Sequence, residues 1–412
     1  MRVLLLGAGG FIGTRIAAAL RARGHAVLGC GRGAAVPADL TRDGKAQWLP
    51  RLAGIDAVVN AAGALDGPLE AIHASGPIAL FEACAEAGIP RLVQISALGA
   101  GEGTTRFLRT KRQADAALLA LRAAGGRDGW CVLRPSLVVG RGGASTRRFA
   151  ALAALPRPVR LGPGGWRLQP LHVDDLAALV AARLEAAGPV PACDELGGPA
   201  VMDTDGLTAL MRGWLGLPPR PPVALPLPLL RLAAAAGRLI PGSALRPDSL
   251  AMLAAGNVAS AAPPPDWRPR PLAEAMAAEP AGPADRLDAR LLPLRPAMRL
   301  LLAAVWIGST LVSLTVGWTQ GLALLARVGL TGWLAQAVVV GGALADLLLG
   351  LLLFAPRHQA LIGGLQVAVI LGFSTLAGIV TPEAWADPYG PLLKDAAMLA
   401  ATLGLAAMRE GR

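Results

Sequence analysis

Two regimes of apolar and polar patterning divide this 412-residue chain. Up to about residue 290, short apolar runs alternate with longer stretches of helical period. From residue 298 the apolar runs lengthen until each is nearly or fully long enough to cross a bilayer. In the first regime strands are predicted over residues 3–6, 26–30, 38–40, 55–60, 91–96 and 130–140. Helices are predicted over 14–23, 71–87, 145–154 and from about 174 to 187. Within 71–87, Ile78, Leu80, Phe81 and Cys84 make one core face, and His73 reads as a capping or surface histidine. Strand–helix alternation with short turns predicts an α/β fold, a doubly wound parallel sheet of the Rossmann type. Asp174 or Asp175 is expected to cap the helix to 187, while His172 reads either as a pocket residue or as a satisfied core histidine.

Prolines break the helical pieces between 200 and 290, and residues 223–240 are apolar on most faces. This stretch is expected to form a small helical cap, with 263–271 stiff and extended. The predicted bounds are 1–200 for the sheet domain, 201–284 for the cap, 285–297 for a linker and 298–412 for a membrane domain. Spans are expected at 300–316, 333–354, 359–380 and 392–408, a four-helix transmembrane bundle. Ser309, Ser313 and Gly317 offer a small-residue packing face. Asp346, an acid inside an apolar run, is expected to be protonated, internally bonded or part of a site. Arg295 and Arg299 precede the first span, Arg357 and His358 separate the second and third, and Arg409 and Arg412 follow the fourth. The loop between spans three and four is acidic (Glu383, Asp387), and Arg327 is the one cation on that side. This asymmetry predicts a multi-pass protein of the inner or cytoplasmic membrane with its N-terminal domain and C-terminus in the cytoplasm.

Composition agrees with that division. The chain is 54% hydrophobic and 16% charged, more apolar than a soluble domain, and the excess lies in the second regime. Net charge is +11, nearly all of the cations being arginine. No basic stripe with interleaved aromatics accompanies it, so nucleic acid is not an expected partner, whereas a lipid bilayer with anionic head groups is. The four cysteines are far apart and form no C-x-x-C, which predicts buried free thiols in a reducing compartment and no metal site. The run 3–6 is too short for a secretory leader, so no signal peptide is expected.

The chemistry begins at Gly7-Ala-Gly-Gly-Phe-Ile-Gly13, which leaves the first strand and opens the first helix. Gly7 permits a tight turn, Gly10 lets backbone approach a pyrophosphate, and Gly13 lets helix pack on strand. The amides of the helix start, Phe11 and Ile12 among them, then face the phosphates. Arg32 stands about 20 residues on, where an acid favours NAD and an arginine accommodates a 2′-phosphate; the expected cofactor is NADP, with NAD possible.

The glycine turn resembles that of the short-chain dehydrogenase/reductase superfamily, in its extended and atypical branches. Asn60-Ala-Ala-Gly63, Arg134-Pro-Ser136 with Val138 and Gly140, and Pro170-Leu-His-Val-Asp174 resemble further motifs of those branches. The resemblance implies a cofactor site built from Gly7, Gly10, Phe11, Ile12, Gly13, Arg32, Asp39, Leu40, Ala61, Ala62, Gly63, Ser96, Lys111, Arg134, Pro135 and Ser136. It also implies catalytic roles for Ser96, on the substrate oxygen, and for a Y-x-x-x-K pair. Here the pair reads Phe107-Leu-Arg-Thr-Lys111: the lysine is kept and the phenol is gone. The sequence holds one tyrosine, Tyr389, in the membrane part.

Residues 298–412 resemble the DoxX-like family, carried by Trp306-Ile-Gly-Ser309 and by Asp387-Pro-Tyr-Gly-Pro-Leu-Leu-Lys394. Two readings follow. One is a membrane-anchored NAD(P)-dependent oxidoreductase acting on an apolar, quinone- or lipid-like small molecule. The other is a non-catalytic NAD(P)H-binding sensor or accessory subunit, resembling the nucleotide-binding accessory subunit of respiratory complex I or the NmrA-type sensors.

Overall fold

A computed structural model describes residues 1–237, 245–355, 358–387 and 390–408. Arg357, Tyr389, Arg409, Arg412 and the end of the apolar stretch 223–240 lie outside them. The chain divides into two compact units, one reaching to Ala289 and the other starting at Arg290.

The first unit is built on seven strands: β1 (Arg2–Leu6), β2 (Ala26–Gly31), β3 (Val36–Pro37), β4 (Ala57–Asn60), β5 (Arg91–Ile95), β6 (Trp130–Pro135) and β7 (Cys193–Leu196). All pair in parallel, in the order β7-β6-β5-β4-β1-β2-β3. The order reverses at β1, so the carboxyl ends of β1 and β4 flank a crevice in which open α/β sheets bind ligands.

Both faces of the sheet are covered, which explains why inner strands such as β1 and β4 read as apolar runs. Val3, Leu5, Val59, Val93 and Leu133 face one side, packed by Ile16 and Leu20 of α1 (Phe11–Ala22). Leu4, Leu6, Val58, Leu92 and Val132 face the other, packed by Leu80, Phe81 and Cys84 of α2 (Gly76–Glu86) and by Leu118 of α3 (Arg106–Gly125). Each such side chain contributes about 1.5–3 kcal/mol on burial. After α4 (Ala144–Ala154), α5 (Val173–Glu185) completes the first layer with Leu176, Leu179, Val180 and Leu184.

Several local expectations are corrected. The third strand is Val36–Pro37, not 38–40, because Asp39 turns the chain by accepting from the Thr41 amide and hydroxyl. The helix expected from 71 opens with a π turn over Ala71–Ser75, and His73 within it is buried, 1% exposed, rather than a surface group. The α5 cap is the His172 ring, which accepts from the Asp174 amide; Asp174 pairs with Arg15 and Asp175 with Arg270.

The cap contains α6 (Leu227–Ala236) and α7 (Pro247–Ala254). The proline-rich stretch after them docks on α5: Trp267 is buried and donates to Asp175 O, and Arg183 joins Asp266 to Asp194. The expected linker is largely helical, α8 (Pro283–Leu291) followed by α9 from Leu294.

The second unit holds α9 (Leu294–Leu314), a short α10 (Trp318–Ala326), α11 (Gly332–Leu352), α12 (Gln359–Val380) and α13 (Pro391–Ala407). Among the described residues three segments are long and apolar enough to span a membrane: Pro283–Leu314, Gly332–Leu352 and Gln359–Val380. The expected fourth corresponds to α13, 17 residues long. Leu302, Trp306, Leu349, Leu353 and Ile370 form the core of this unit. Gly350 lets α9 close on α11, since a Cβ there would lie 3.1 Å from that of Trp306. Gly317 contributes nothing to a helix face, because α9 ends at Leu314. Asp346 accepts from Ser309 at 2.7 Å, and a second acid that the sequence reading passed over, Asp395, accepts from Ser374 at 2.6 Å.

Candidate functional site

The glycine turn forms a cradle floored by backbone. Gly7 has φ +74°, and a Cβ on it would lie 2.8 Å from Ala61 O. A Cβ on Gly13 would lie 2.0 Å from Gly7 O, closer than any atom pair allows, so strand and helix meet without side chains between them. Gly10 differs: it is extended at φ −83°, and a Cβ there would meet only Gly7 O, at 3.2 Å. The first α1 amides, on Phe11, Ile12 and Gly13, have no acceptor within the helix, and no acid stands in its first turn. A diphosphate fits such a seat, with the positive end of the helix dipole behind it. Phe11 turns its ring away onto the Gly140–Gly143 turn.

Arg32 is exposed just beyond β2. Asp39 is held below the usual carboxylate range by the Thr41 hydroxyl and amide, then by Arg32 and Arg42. Leu40 lies where its carbonyl oxygen would be 2.3 Å from a Cβ on Gly76, at the start of α2. On the other side of the crevice Ala61 N–H donates to Leu6 O, and Ala62 N–H to the Asn60 side chain, itself bonded to Gln94. Ala64 N–H donates to His73 Nε2 at 3.0 Å. With Nε2 accepting, the neutral ring carries its proton on Nδ1, 3.3 Å from Thr110 Oγ. Burial and the neighbouring Lys111 push His73 down to about 3, so it stays neutral at physiological pH.

Lys111 is 4% exposed and donates to Ile95 O at 3.0 Å. Burial brings its ammonium down from 10.5 to about 8, with Asp115 opposing. Its Nζ would be 3.7 Å from a Cβ on Gly63, so it stands at the crevice beside the second turn. One helical turn earlier, the Phe107 ring meets His73 edge-on, centroids 5.2 Å apart.

Ser96 ends β5 and is buried. Its hydroxyl donates to Asp115 Oδ2 at 2.8 Å, and Arg134 Nε donates to the same oxygen at 2.9 Å. Asp115 is fully buried; burial raises its carboxyl above the usual range, against the pull of Ser96 and Arg134. Its Oδ1 has no hydrogen-bond partner. Ser136 is likewise committed: its hydroxyl donates to Asn257 O at 2.8 Å, while Leu98 N–H donates to Pro135 O.

The structure therefore gathers the glycine turn, residues 61–63 and Lys111 at one crevice, and draws the hydroxyls of Ser96 and Ser136 into internal bonds. Sequence reasoning passed over Asp115 and Asn257, and set His73 aside as a capping or surface group. Asp115 was findable, four residues after Lys111 and so on the same helix face. His172 is buried with Nε2 lacking a partner. A groove of about 380 Å³ lined by Arg106, Arg109, Arg112 and Glu70 opens along α3 and includes none of the glycine turn.

Residues 3–192 match the NAD dependent epimerase/dehydratase family, and residues 303–403 match the DoxX-like family. Over 155 residues the chain is 33% identical to NADH dehydrogenase (ubiquinone) 1 alpha subcomplex subunit 9, mitochondrial, of Arabidopsis thaliana, covering 36% of this chain and 36% of that protein. The chain thus spans about a third of the length of that curated relative. Among solved structures, gox2253 is 21% identical with a TM-score of 0.51, over 66% of this chain and 95% of its own. The UDP-glucose 4-epimerase of Thermotoga maritima, solved with UDP-glucose, is 16% identical with a TM-score of 0.49, over 67% and 96%. The head is an epimerase/dehydratase-like Rossmann domain, and the tail is a DoxX-like domain with apolar helices.

Proposed function

We propose that this chain is a membrane-anchored NADP(H)-binding protein that has kept the dinucleotide seat and given up tyrosine-dependent turnover, acting as a sensor or accessory subunit. One observation carries the reading. Around an intact glycine cradle and a retained Lys111, Phe107 occupies the acid position and the Ser96 hydroxyl is donated to Asp115. A phenyl ring has no proton to give, and a serine bonded to a buried carboxylate is not free to polarise a carbonyl. Supporting it is the similarity, over about a third of each chain, to a protein named as a subunit of an NADH dehydrogenase.

In this reading Gly7, Gly10 and Gly13 admit the diphosphate, with the amides of Phe11 and Ile12 on its oxygens. Arg32 takes the 2′-phosphate, and Asp39 and Leu40 border the adenine. Ala61, Ala62 and Gly63 line the crevice, and Lys111 holds the nicotinamide ribose. Arg134, Pro135 and Ser136 act from behind, fixing Asp115 and the β6 end. When bound, the nicotinamide supplies hydride chemistry; the residues around it supply binding and orientation. Positive-inside reasoning from Arg295 and Arg299 puts the head in the cytoplasm.

The test is calorimetric titration of the detergent-solubilised chain with NADPH and NADH, alongside NADPH absorbance with quinones and lipid ketones. Binding without consumption, NADPH favoured, and the preference reversed in Arg32→Glu, is the expected result. Phe107→Tyr then creates activity where there was none. The competing oxidoreductase reading is favoured by the apolar cap helix α6, and NADPH consumption by the parent chain would establish it.

A further inference from the structure

Helix α6 is apolar on the side that faces away from the protein. Its inward stripe is narrow: Leu230 and Ala234 are buried, one helical turn apart, in a small cluster with Leu250, Trp166 and Leu225. This cluster is separate from both cores of the sheet. The opposite face of a surface helix in water carries charged and polar residues. Here it carries Leu229 at 53% exposure and Leu232 at 68%, with Ala233, Ala235 and Ala236 also exposed and Arg231 as the one charge. Leaving two leucines bare to water is unfavourable relative to burying them.

We propose that α6 is an interfacial anchor, lying in the plane of the bilayer with Leu229 and Leu232 among the upper acyl chains. The lipid surface is the occupant because the same chain carries segments long and apolar enough to span it. The first unit ends at Ala289 and the predicted apolar span begins near residue 300, about eleven residues or roughly 17 Å of helix later. An apolar face with an arginine at its edge suits that boundary, since the stem of Arg231 lies along the hydrocarbon while its guanidinium stays among phosphates. The anchor is tied to the site. Arg246, just before α7, makes two hydrogen bonds of 2.8 Å to Asp66, in the loop that follows Gly63. This inference stands apart from the nucleotide reading, because it rests on the exposed face of α6 and on the apolar spans, not on the crevice.

The full-length chain in phosphatidylcholine–phosphatidylglycerol nanodiscs provides the test. Leu229→Cys, Leu232→Cys and the control Val201→Cys, an exposed apolar site off α6, are each labelled with bimane in a Cys193→Ser background. Cys30, Cys84 and Cys131 are buried, and burial pushes all three thiols up, Cys30 to about 11 and Cys131 to about 12, so they resist labelling. Discs made with brominated acyl chains should cost emission at 229 and 232 and leave 201 unchanged. No loss at 229 and 232 overturns the proposal, as it would if a protein surface covered α6. Equal loss at all three sites also overturns it, since the whole head would then collapse on the lipid without a dedicated anchor.

Discussion

At the scale of single residues, the three glycines do separate things. Gly13→Ala places a methyl 2.0 Å from Gly7 O and forces α1 off β1, at a cost of about 1–3 kcal/mol or more. Gly10→Ala meets only Gly7 O at 3.2 Å and leaves stability within about 1 kcal/mol, yet fills the space that a diphosphate needs. Melting temperature and NADPH titration, measured side by side, should therefore fall together in the first variant and separate in the second. Lys111 gives a pH signature. Its folded pKa of about 8 lies below the unfolded 10.5, so the unfolded chain holds that proton more tightly. The resulting destabilisation, about 3 kcal/mol, is fully present below pH 8 and disappears as pH rises to 10.5. Lys111→Met should melt higher at pH 7, and its advantage over the parent should vanish by pH 10.5. His73 acts in the acid range: its pKa of about 3 means that stability present above pH 6.5 is lost as pH falls towards 3.

At the scale of elements, the stretch 263–271 is the strongest test. Trp267 is 5% exposed, and with Arg183 and Arg270 it fastens the returning chain to α5. Trp267→Ala should cost about 3–5 kcal/mol and open the stretch to limited proteolysis, read as new cleavage sites near Arg268 and Arg270. This docking was not legible in the sequence, where prolines advertise stiffness but not what the stiff segment leans on. The inner strands were legible, because two-sided burial writes them as largely apolar runs, whereas the edge strand β7, with Asp194 and Glu195 at its centre, carries no such run and was missed. Strand β3 was displaced by two residues because its position is set by Asp39 hydrogen bonds, not by an apolar pattern. His73 was misjudged for a related reason: a histidine looks polar in a list, and the π turn that swings it inward leaves no periodic trace. Ser96 was legible as a strand-end hydroxyl, but the direction of its proton depends on Asp115, a contact across 19 positions. The three long spans were clear from length alone.

At the scale of the whole molecule, the orientation proposal makes Arg327 a marker of the far side, where it pairs with Glu383 at 2.6 Å. Arg327→Cys in right-side-out vesicles should react with a membrane-impermeant maleimide, while a cysteine placed at Arg268 should react only after the vesicles are opened. The exit from the head has a consequence of its own. Between residues 279 and 288 the chain is fastened repeatedly: Glu279 to Arg15 and Arg141, its carbonyl to Trp214, Asp285 to Arg141, Arg286 to Leu215 O, and Asp288 to Arg147. Those rivets fix the chain to the first unit as far as Asp288, so any pull on the segment that follows is borne there largely by ionic contacts, which salt weakens.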